Sequence, residues 1–137
     1  MTNEEIRSEF EKFVGNEKYK HFILTIYEAF PLRKRLFFWQ EQLLKDFTNE
    51  FDLEIIEFSK IHEIFNYCPV HNYQLKRDNV PIVDGNEINS KISYEREKEL
   101  FPLANIIAPR DLERFSYPKT VDVVYCKKCR ELNKKYN

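Results

Sequence analysis

The sequence is short of glycine and lacks long apolar runs. Only two of its 137 residues are glycine, and neither of the glycine-rich patterns that cradle nucleotide phosphates occurs. No apolar stretch approaches the roughly 20 residues that a membrane helix needs. The acidic start at residues 1–5 is not followed by the apolar part of a signal peptide. We therefore expect a soluble, cytoplasmic protein with no membrane partner.

Cysteine is also scarce, and its number is odd. The chain has three cysteines, whereas disulfide frameworks of secreted proteins use even numbers. In a reducing compartment such thiols stay free or bind metal. The net charge of −1 is too balanced for a protein that binds nucleic acid over its whole surface. Residues 119–137 differ, because they carry six basic and two acidic side chains.

Residues 1–66 are predicted to form three or four helices. Thr2 and Glu5 have the spacing of a capping box, and the apolar residues that follow recur at helical intervals. Gly15 suits the end of this first helix, and Pro31 suits the start of a third. The segment 51–66 mixes a strand-like alternation with a helical pattern, and a helix fits its full length better.

Residues 67–137 have a different character, because five of the six prolines lie there. Alternating residues predict a strand at Thr120–Tyr125, and residues 80–83 are predicted to form an edge strand because Pro81 lacks a donor for the ladder. Helices are predicted at Tyr94–Leu100 and residues 130–136, a turn at residues 84–86 and a helical turn at residues 110–115. The expected fold is α+β, with a helical region 1–66 and a unit 67–137 that contains a small antiparallel sheet, packed together as one compact domain.

Two short motifs carry the chemistry. Cys68-Pro69-Val70-His71 and Cys126-Lys127-Lys128-Cys129 each place two metal-binding side chains three positions apart. In such a turn, called a knuckle, both side chains point at one spot and backbone amides face the sulfur. Together the two knuckles supply three thiolates and one imidazole, which is a complete tetrahedral set for zinc. We predict one zinc ion bound by Cys68, His71, Cys126 and Cys129.

The alternative interpretation is a redox-active or simply buried pair of Cys126 and Cys129, to which Cys68 and His71 are unrelated. A thioredoxin-like pair would follow an early strand, whereas this pair lies at the C-terminal end of the chain. Four protein ligands close the coordination sphere, while catalytic zinc keeps one position for water. The predicted zinc is therefore structural, no catalytic residue is assigned, and His62 is expected to be a packing or surface histidine.

A first knuckle, strands, and a second knuckle that opens a terminal helix follow one another in the order of a treble clef. Residues 67–136 also resemble a loosely defined group of small bacterial zinc-ribbon-like proteins. The resemblance rests on Cys68-Pro69-Val70-His71, Leu75, Val80-Pro81-Ile82, Gly85, Phe101-Pro102, Val124-Tyr125-Cys126 and Cys129-Arg130. It implies zinc binding and points to no particular enzymatic activity. Members of the group often have Gly-Gly-Cys before the second knuckle, which is missing here.

Two classes of function fit these observations. The first is a non-enzymatic protein-interaction module, such as an inhibitor or immunity-type protein, because the site is closed and the first half is acidic and rich in aromatics. The second is a nucleic-acid-associated regulator that uses the basic residues Lys127, Lys128, Arg130, Lys134 and Lys135. Residues 33–35 beside Phe37-Phe38-Trp39 are a further candidate contact, although core packing of these aromatics is favoured. Three consecutive aromatics cannot all face one core, so at least one should lie at the surface.

Overall fold

A computed structural model describes residues 1–28, 35–83, 91–109 and 119–137 of the chain. The helices in these ranges are α1 (Asn3–Val14), α2 (Asn16–Tyr27), α3 (Phe38–Glu50), α4 (Phe58–Phe65), α5 (Tyr94–Leu100) and α6 (Lys127–Tyr136). The strands β1 (Lys76–Val83), β2 (Ala108–Pro109) and β3 (Thr120–Tyr125) form one small sheet. The predicted α+β class is confirmed, as are the predicted elements at α5, β3 and α6.

The first helix begins and ends where the sequence predicts. The Thr2 hydroxyl accepts a hydrogen bond from the backbone amide of Glu5 at 3.1 Å and donates one to the Glu5 carboxylate. This satisfies an amide that has no partner inside the helix. Gly15 follows α1 with φ of +89°, a backbone conformation that side chains with a Cβ disfavour. A single glycine therefore turns the chain from α1 into α2.

Two predicted helix boundaries were wrong. The third helix was predicted to begin at Pro31, which lies outside the described residues. Residues 35–37 are not helical, however, and α3 starts at Phe38. Its start is fixed by a side chain, because Gln40 accepts a hydrogen bond from the Phe37 amide at 2.9 Å. Of the segment 51–66, only residues 58–65 are helical. The Leu53 amide instead bonds to the Thr48 carbonyl at 2.8 Å and closes the end of α3.

The sheet places β1 in its centre, so the predicted edge position of residues 80–83 was wrong. β1 pairs antiparallel with β3 along residues 76–81 and parallel with β2 at Ile82 and Val83. Ile82 donates its amide to the Lys119 carbonyl on the β3 side at 3.0 Å. Because successive amides of a strand point to opposite sides, the nitrogen of Pro81 faces the β2 side, where pairing starts only at the next residue. The proline therefore removes no hydrogen bond from the ladder.

Aromatic rings hold the helices together. Phe10 is fully buried, and its ring meets those of Phe22, Phe47 and Phe65 edge to face, with centroids 4.9 to 5.3 Å apart. Such pairs add about 0.5–1.5 kcal/mol each to the burial of their area. The same cluster of buried residues continues into the second half of the chain, through Leu75, Phe101, Leu103, Val124 and the three cysteines. The division at residue 67 stays a prediction.

The second face of the sheet has a much smaller cluster. Val123 and Val124 are neighbours on β3 and point to opposite faces. Val124 joins the large core, whereas Val123 packs with Val80 and Ala108. The turn predicted at residues 84–86 and the helical turn predicted at residues 110–115 lie outside the described residues.

Two expectations about single side chains are confirmed. His62 packs inside the helical region, where the Tyr27 hydroxyl lies 3.2 Å from its Nδ1. Of the three consecutive aromatics, Phe38 is 78% exposed, whereas Trp39 is half-buried and stacks on His21 with ring centroids 4.9 Å apart.

Candidate metal centre

The first knuckle is the tip of a tight loop that follows α4. An antiparallel bridge between Tyr67 and Gln74 closes the loop. Inside it, the Cys68 amide donates to the Tyr73 carbonyl at 2.9 Å, and the Asn72 amide donates to the Cys68 carbonyl at 2.8 Å. Asn72 has φ of +58°, a conformation that asparagine tolerates better than most residues. The loop therefore holds the Cys68 side chain in a fixed direction, and that side chain is buried.

The second knuckle joins β3 to α6. Cys126 follows the last residue of β3 and is the N-cap of α6, with its sulfur accepting a hydrogen bond from the Cys129 amide at 3.4 Å. Cys129 lies in the first turn of the helix, and both cysteines are fully buried. The expected amide-to-sulfur contact of a knuckle is therefore present in this motif.

The fold brings the four predicted ligands together. Nδ1 of His71 lies 3.6 Å from the Cys68 sulfur, 3.7 Å from the Cys126 sulfur and 3.4 Å from the Cys129 sulfur. The sulfurs of Cys68 and Cys129 are 3.7 Å apart. All four ligand atoms lie within 4.8 Å of one another. The interpretation in which Cys126 and Cys129 form a pair unrelated to Cys68 and His71 is thus wrong.

These distances fit one metal ion in the middle of the group. Typical zinc bond lengths and a tetrahedral angle predict about 3.8 Å between two sulfurs and about 3.6 Å between sulfur and nitrogen. A disulfide needs about 2.05 Å between sulfurs, so the three thiols are free. An iron–sulfur cluster would place several atoms between the thiolates, and contacts this short leave no room for it. A group of three cysteines and one histidine that can hold a metal ion is therefore present.

The electrostatics of the group also favour a cation. Hydrogen bonding with the Cys129 side chain lowers the pKa of Cys126, whereas contact with Cys126 raises the pKa of both Cys68 and Cys129. A Cys126 thiolate thus accepts hydrogen bonds from the other two thiols, and these bonds favour the protonated forms of Cys68 and Cys129. A bound divalent cation stabilises the charged form of each thiol and so allows all three thiolates.

One segment that contacts the metal group, residues 103–105, could not be predicted from the two motifs. The Cys126 amide donates to the Leu103 carbonyl at 2.9 Å, and the Leu103 amide partly offsets the rise that the neighbouring thiols cause in the Cys129 pKa. Segment 103–105 therefore lies against the second knuckle. Its only sequence signal is the preceding Phe101-Pro102, which marks the end of α5.

The five basic residues predicted to meet nucleic acid are in different surroundings. Lys127, Lys134 and Lys135 are exposed on α6. Lys128 is half-buried and lies 3.9 Å from the Glu131 carboxylate. The side chain of Arg130 turns inward and makes hydrogen bonds inside the protein.

A groove of about 410 Å³ lies between α1 and the first knuckle. Glu4, Ser8 and Glu11 line it from α1, and Pro69 and Val70 line it from the knuckle. Further lining comes from Arg7, Tyr19, Cys68 and Asn72. The groove therefore borders the metal group directly.

Comparisons with known proteins add no relative. No protein-family model matches the chain. No curated protein and no solved structure matches it significantly. The resemblance to zinc-ribbon-like proteins therefore stays a prediction. Among the described residues, no helix is long and apolar enough to cross a membrane.

Proposed function

We propose that the chain is a zinc-stabilised, non-enzymatic protein-interaction module. The observation that carries the metal part is the set of distances of 3.4 to 3.7 Å among the His71 nitrogen and the cysteine sulfurs. Thiolates with one imidazole in a tetrahedral arrangement suit zinc, whereas magnesium and calcium need oxygen ligands. We take zinc as the resident ion, held by Cys68, His71, Cys126 and Cys129.

The closed ligand set supports a structural role for the ion. Four protein side chains fill a tetrahedral zinc site, so no position is left for water or substrate. The three cysteines are also within 1% of complete burial, which keeps solvent and substrate from the sulfurs. When bound, zinc would supply the cross-link between the first knuckle and the start of α6.

The groove beside the first knuckle supports a protein partner. Glu4 and Glu11 are two positions of one face of α1, and neither has an ion-pair partner in the part of the chain that the structure describes. Arg7 is engaged at the floor, because it donates to the Ile64 carbonyl at 3.0 Å and lies 3.7 Å above the ring of Tyr67. Both partners of Arg7 are neutral, so its charge remains, and the two glutamates and one arginine of the lining leave a net charge of −1, which suits a basic side chain of a partner protein.

The apolar end of the groove belongs to the metal-held loop. Val70 is 37% exposed and lies between the two ligands of the first knuckle. Because the loop that carries it is fixed by metal, partner binding should depend on metal.

The nucleic-acid regulator remains the alternative, with less support. Arg130 bonds to Asp78, and Lys128 lies at the surface beside the Glu131 carboxylate of the same helix. This leaves Lys127, Lys134 and Lys135 exposed on α6. Three exposed lysines contribute less to the attraction of nucleic-acid phosphates than the five basic residues predicted from the sequence would.

The test is capture of partners on the tagged, zinc-loaded protein, with and without nuclease. We expect one protein partner that survives nuclease and is lost when Glu4→Lys and Glu11→Lys are combined. The control combines Glu50→Lys and Glu54→Lys, since these residues are exposed elsewhere and change the net charge equally. Equal capture by both double variants would contradict the groove as the binding site. Loss of all binding on nuclease treatment would support the nucleic-acid alternative.

A further inference from the structure

Arg130 is not a metal ligand, yet it joins three segments that surround the metal group. Its Nε donates to the Ala104 carbonyl at 2.8 Å, and its Nη2 donates to the Asn105 carbonyl at 3.0 Å. Its Nη1 donates to the Asp78 carboxylate on β1 at 2.7 Å. Arg130 follows Cys129 directly in α6, so all these contacts fix the turn that carries a metal ligand.

The Arg130 guanidinium also stacks on Tyr125, the residue before Cys126. Its carbon lies 3.6 Å from the centroid of the Tyr125 ring, and Tyr125 precedes Cys126. Arg130 and Tyr125 therefore flank the second knuckle on both sides, and their contact joins the last residue of β3 to the first turns of α6. The positive guanidinium is attracted to the negative face of the ring in contacts of this kind.

The segment that Arg130 holds is itself attached to the knuckle. The Leu103 carbonyl accepts the Cys126 amide at 2.9 Å, and the Asn105 side-chain amide donates to the Val124 carbonyl at 2.6 Å. Asn105 has φ of +45°, a conformation that is uncommon for residues with a side chain. Arg130 thus bonds to Ala104 and Asn105, and Cys126 bonds to Leu103, so both residues hold segment 103–105.

We propose that Arg130 is a positioning residue of the metal centre. It holds the second knuckle against segment 103–105, so that the sulfurs of Cys126 and Cys129 occupy ligand positions before the metal binds. Residues that bond directly to the ligands typically change metal affinity by about 10–100-fold, and Arg130, which acts through segment 103–105, should change it by about 10-fold, the low end of that range. This proposal rests on the proposed metal site and assigns Arg130 an internal role in place of a nucleic-acid contact.

Arginine is required here because three different donors are used at once. Nε and both Nη atoms lie in one rigid plane, which matches two carbonyls and a carboxylate and leaves its face free for an aromatic ring. Lysine has a single nitrogen and cannot reach these acceptors together. We therefore expect Arg130→Lys to fail as a conservative replacement.

The test measures metal affinity by chelator competition and the cobalt-substituted absorption spectrum. The variants are Arg130→Lys and Arg130→Gln, and the control is Lys134→Gln, an exposed charge on the same helix. We expect about 10-fold weaker binding for both Arg130 variants and wild-type affinity for the control. At saturating cobalt the spectrum should stay that of the wild type, because all four ligands are retained.

A second readout separates positioning from general stability. Thermal unfolding is measured for each protein with and without metal. A positioning role predicts that the variants lose part of the stabilisation that metal provides, whereas a merely structural role lowers both midpoints equally and leaves metal affinity unchanged. Asp78→Asn keeps both carbonyl contacts and gives a milder variant, for which we expect a smaller loss of affinity.

The outcomes distinguish the two proposals. Wild-type affinity in Arg130→Gln and in Asp78→Asn would overturn the positioning role while leaving the metal site in place. Absence of metal binding by the wild-type protein would overturn both. If Arg130→Gln does not fold, Asp78→Asn decides between weakened and unchanged affinity.

Discussion

The helical region and the region that carries the metal ligands are held together by different interactions. Around Phe10 the contacts are aromatic and apolar, and they connect α1, α2, α3 and α4. Beside the sheet, the smaller cluster has three buried members among the residues that the structure describes, Val80, Ala108 and Val123. There the segments are linked by the Cys/His group and the polar contacts of Arg130, in addition to the residues Phe101, Leu103 and Val124 that belong to the large core.

This difference shows what a short, proline-rich segment needs in order to fold. The helices bury large rings at regular intervals, and the area buried stabilises them without any ligand. The second region has short strands and loops that bury less, so specific links must fix its geometry. The two regions are not independent, because the three cysteines belong to the same buried cluster as Phe10.

Removal of metal should give the largest effect and separate the two regions. We expect a chelator to expose backbone amides around both knuckles and in segment 103–105, because zinc in small domains contributes on the order of 10 kcal/mol. The amides of α1 and α2 should keep most of their protection. Hydrogen exchange followed by mass spectrometry measures both. Unchanged protection at the knuckles after verified metal removal would contradict the proposed dependence.

The reverse test acts on the aromatic core. Phe10→Ala should lower the free energy of unfolding by about 3–5 kcal/mol, because it leaves a cavity among three other rings. The folded fraction should still bind one equivalent of metal. Phe38→Ala is the control, since that ring is 78% exposed, and we expect a change within about 0.5 kcal/mol. Urea unfolding measures both, and similar losses for the two variants would show that the ring contacts are unimportant.

A buried polar side chain in the helical region gives a smaller effect. Gln40 is fully buried, accepts from the Phe37 amide and donates to the Phe22 carbonyl at 3.1 Å. Gln40→Met keeps the volume but removes both hydrogen bonds, and should cost about 1–3 kcal/mol. Gln42→Met on the exposed side of α3 should change stability far less. An equal cost in both variants would show that the hydrogen bonds of Gln40 do not help to hold α2 and α3 together.

The smallest predicted effect is a pH dependence that arises in the helical region. Burial, with a contribution from Arg77, lowers the pKa of His62 below its ordinary value. The unfolded chain then takes up a proton more readily, so stability should fall as pH drops from about 6.5 towards the folded pKa. In His62→Gln this part of the slope should disappear. Urea unfolding at pH 7.5 and 5.5 checks it, and identical slopes in both proteins would refute the assignment.

The metal group could be predicted from the sequence because each knuckle is a local pattern. Cys68 and His71, like Cys126 and Cys129, are three positions apart, and this spacing alone turns both side chains towards one point. The two knuckles together supply four ligands, which is the number that a tetrahedral zinc site needs. The order of β3, knuckle and α6 was also predictable, because the alternation in Thr120–Tyr125 ends directly before Cys126.

The elements that were predicted wrongly depend on contacts between distant residues. The start of α3 is set by the side chain of Gln40, which also bonds to the distant Phe22 carbonyl on α2. The connection before α4 mixes two periodicities because it packs partly on the core. The central position of β1 depends on the two residues of β2. The internal role of Arg130 was hidden for the same reason, since its acceptors on Asp78 and in segment 103–105 are far away in sequence.

The most direct test of the central claim is the metal content of the purified protein. The wild-type chain and Cys126→Ser are produced in reducing, zinc-supplied medium, and metal and protein are quantified together by native mass spectrometry and elemental analysis. We predict one zinc ion per wild-type chain and none retained by Cys126→Ser after the same purification. A folded, reduced wild-type protein that carries no metal and binds none on addition of zinc would contradict the account.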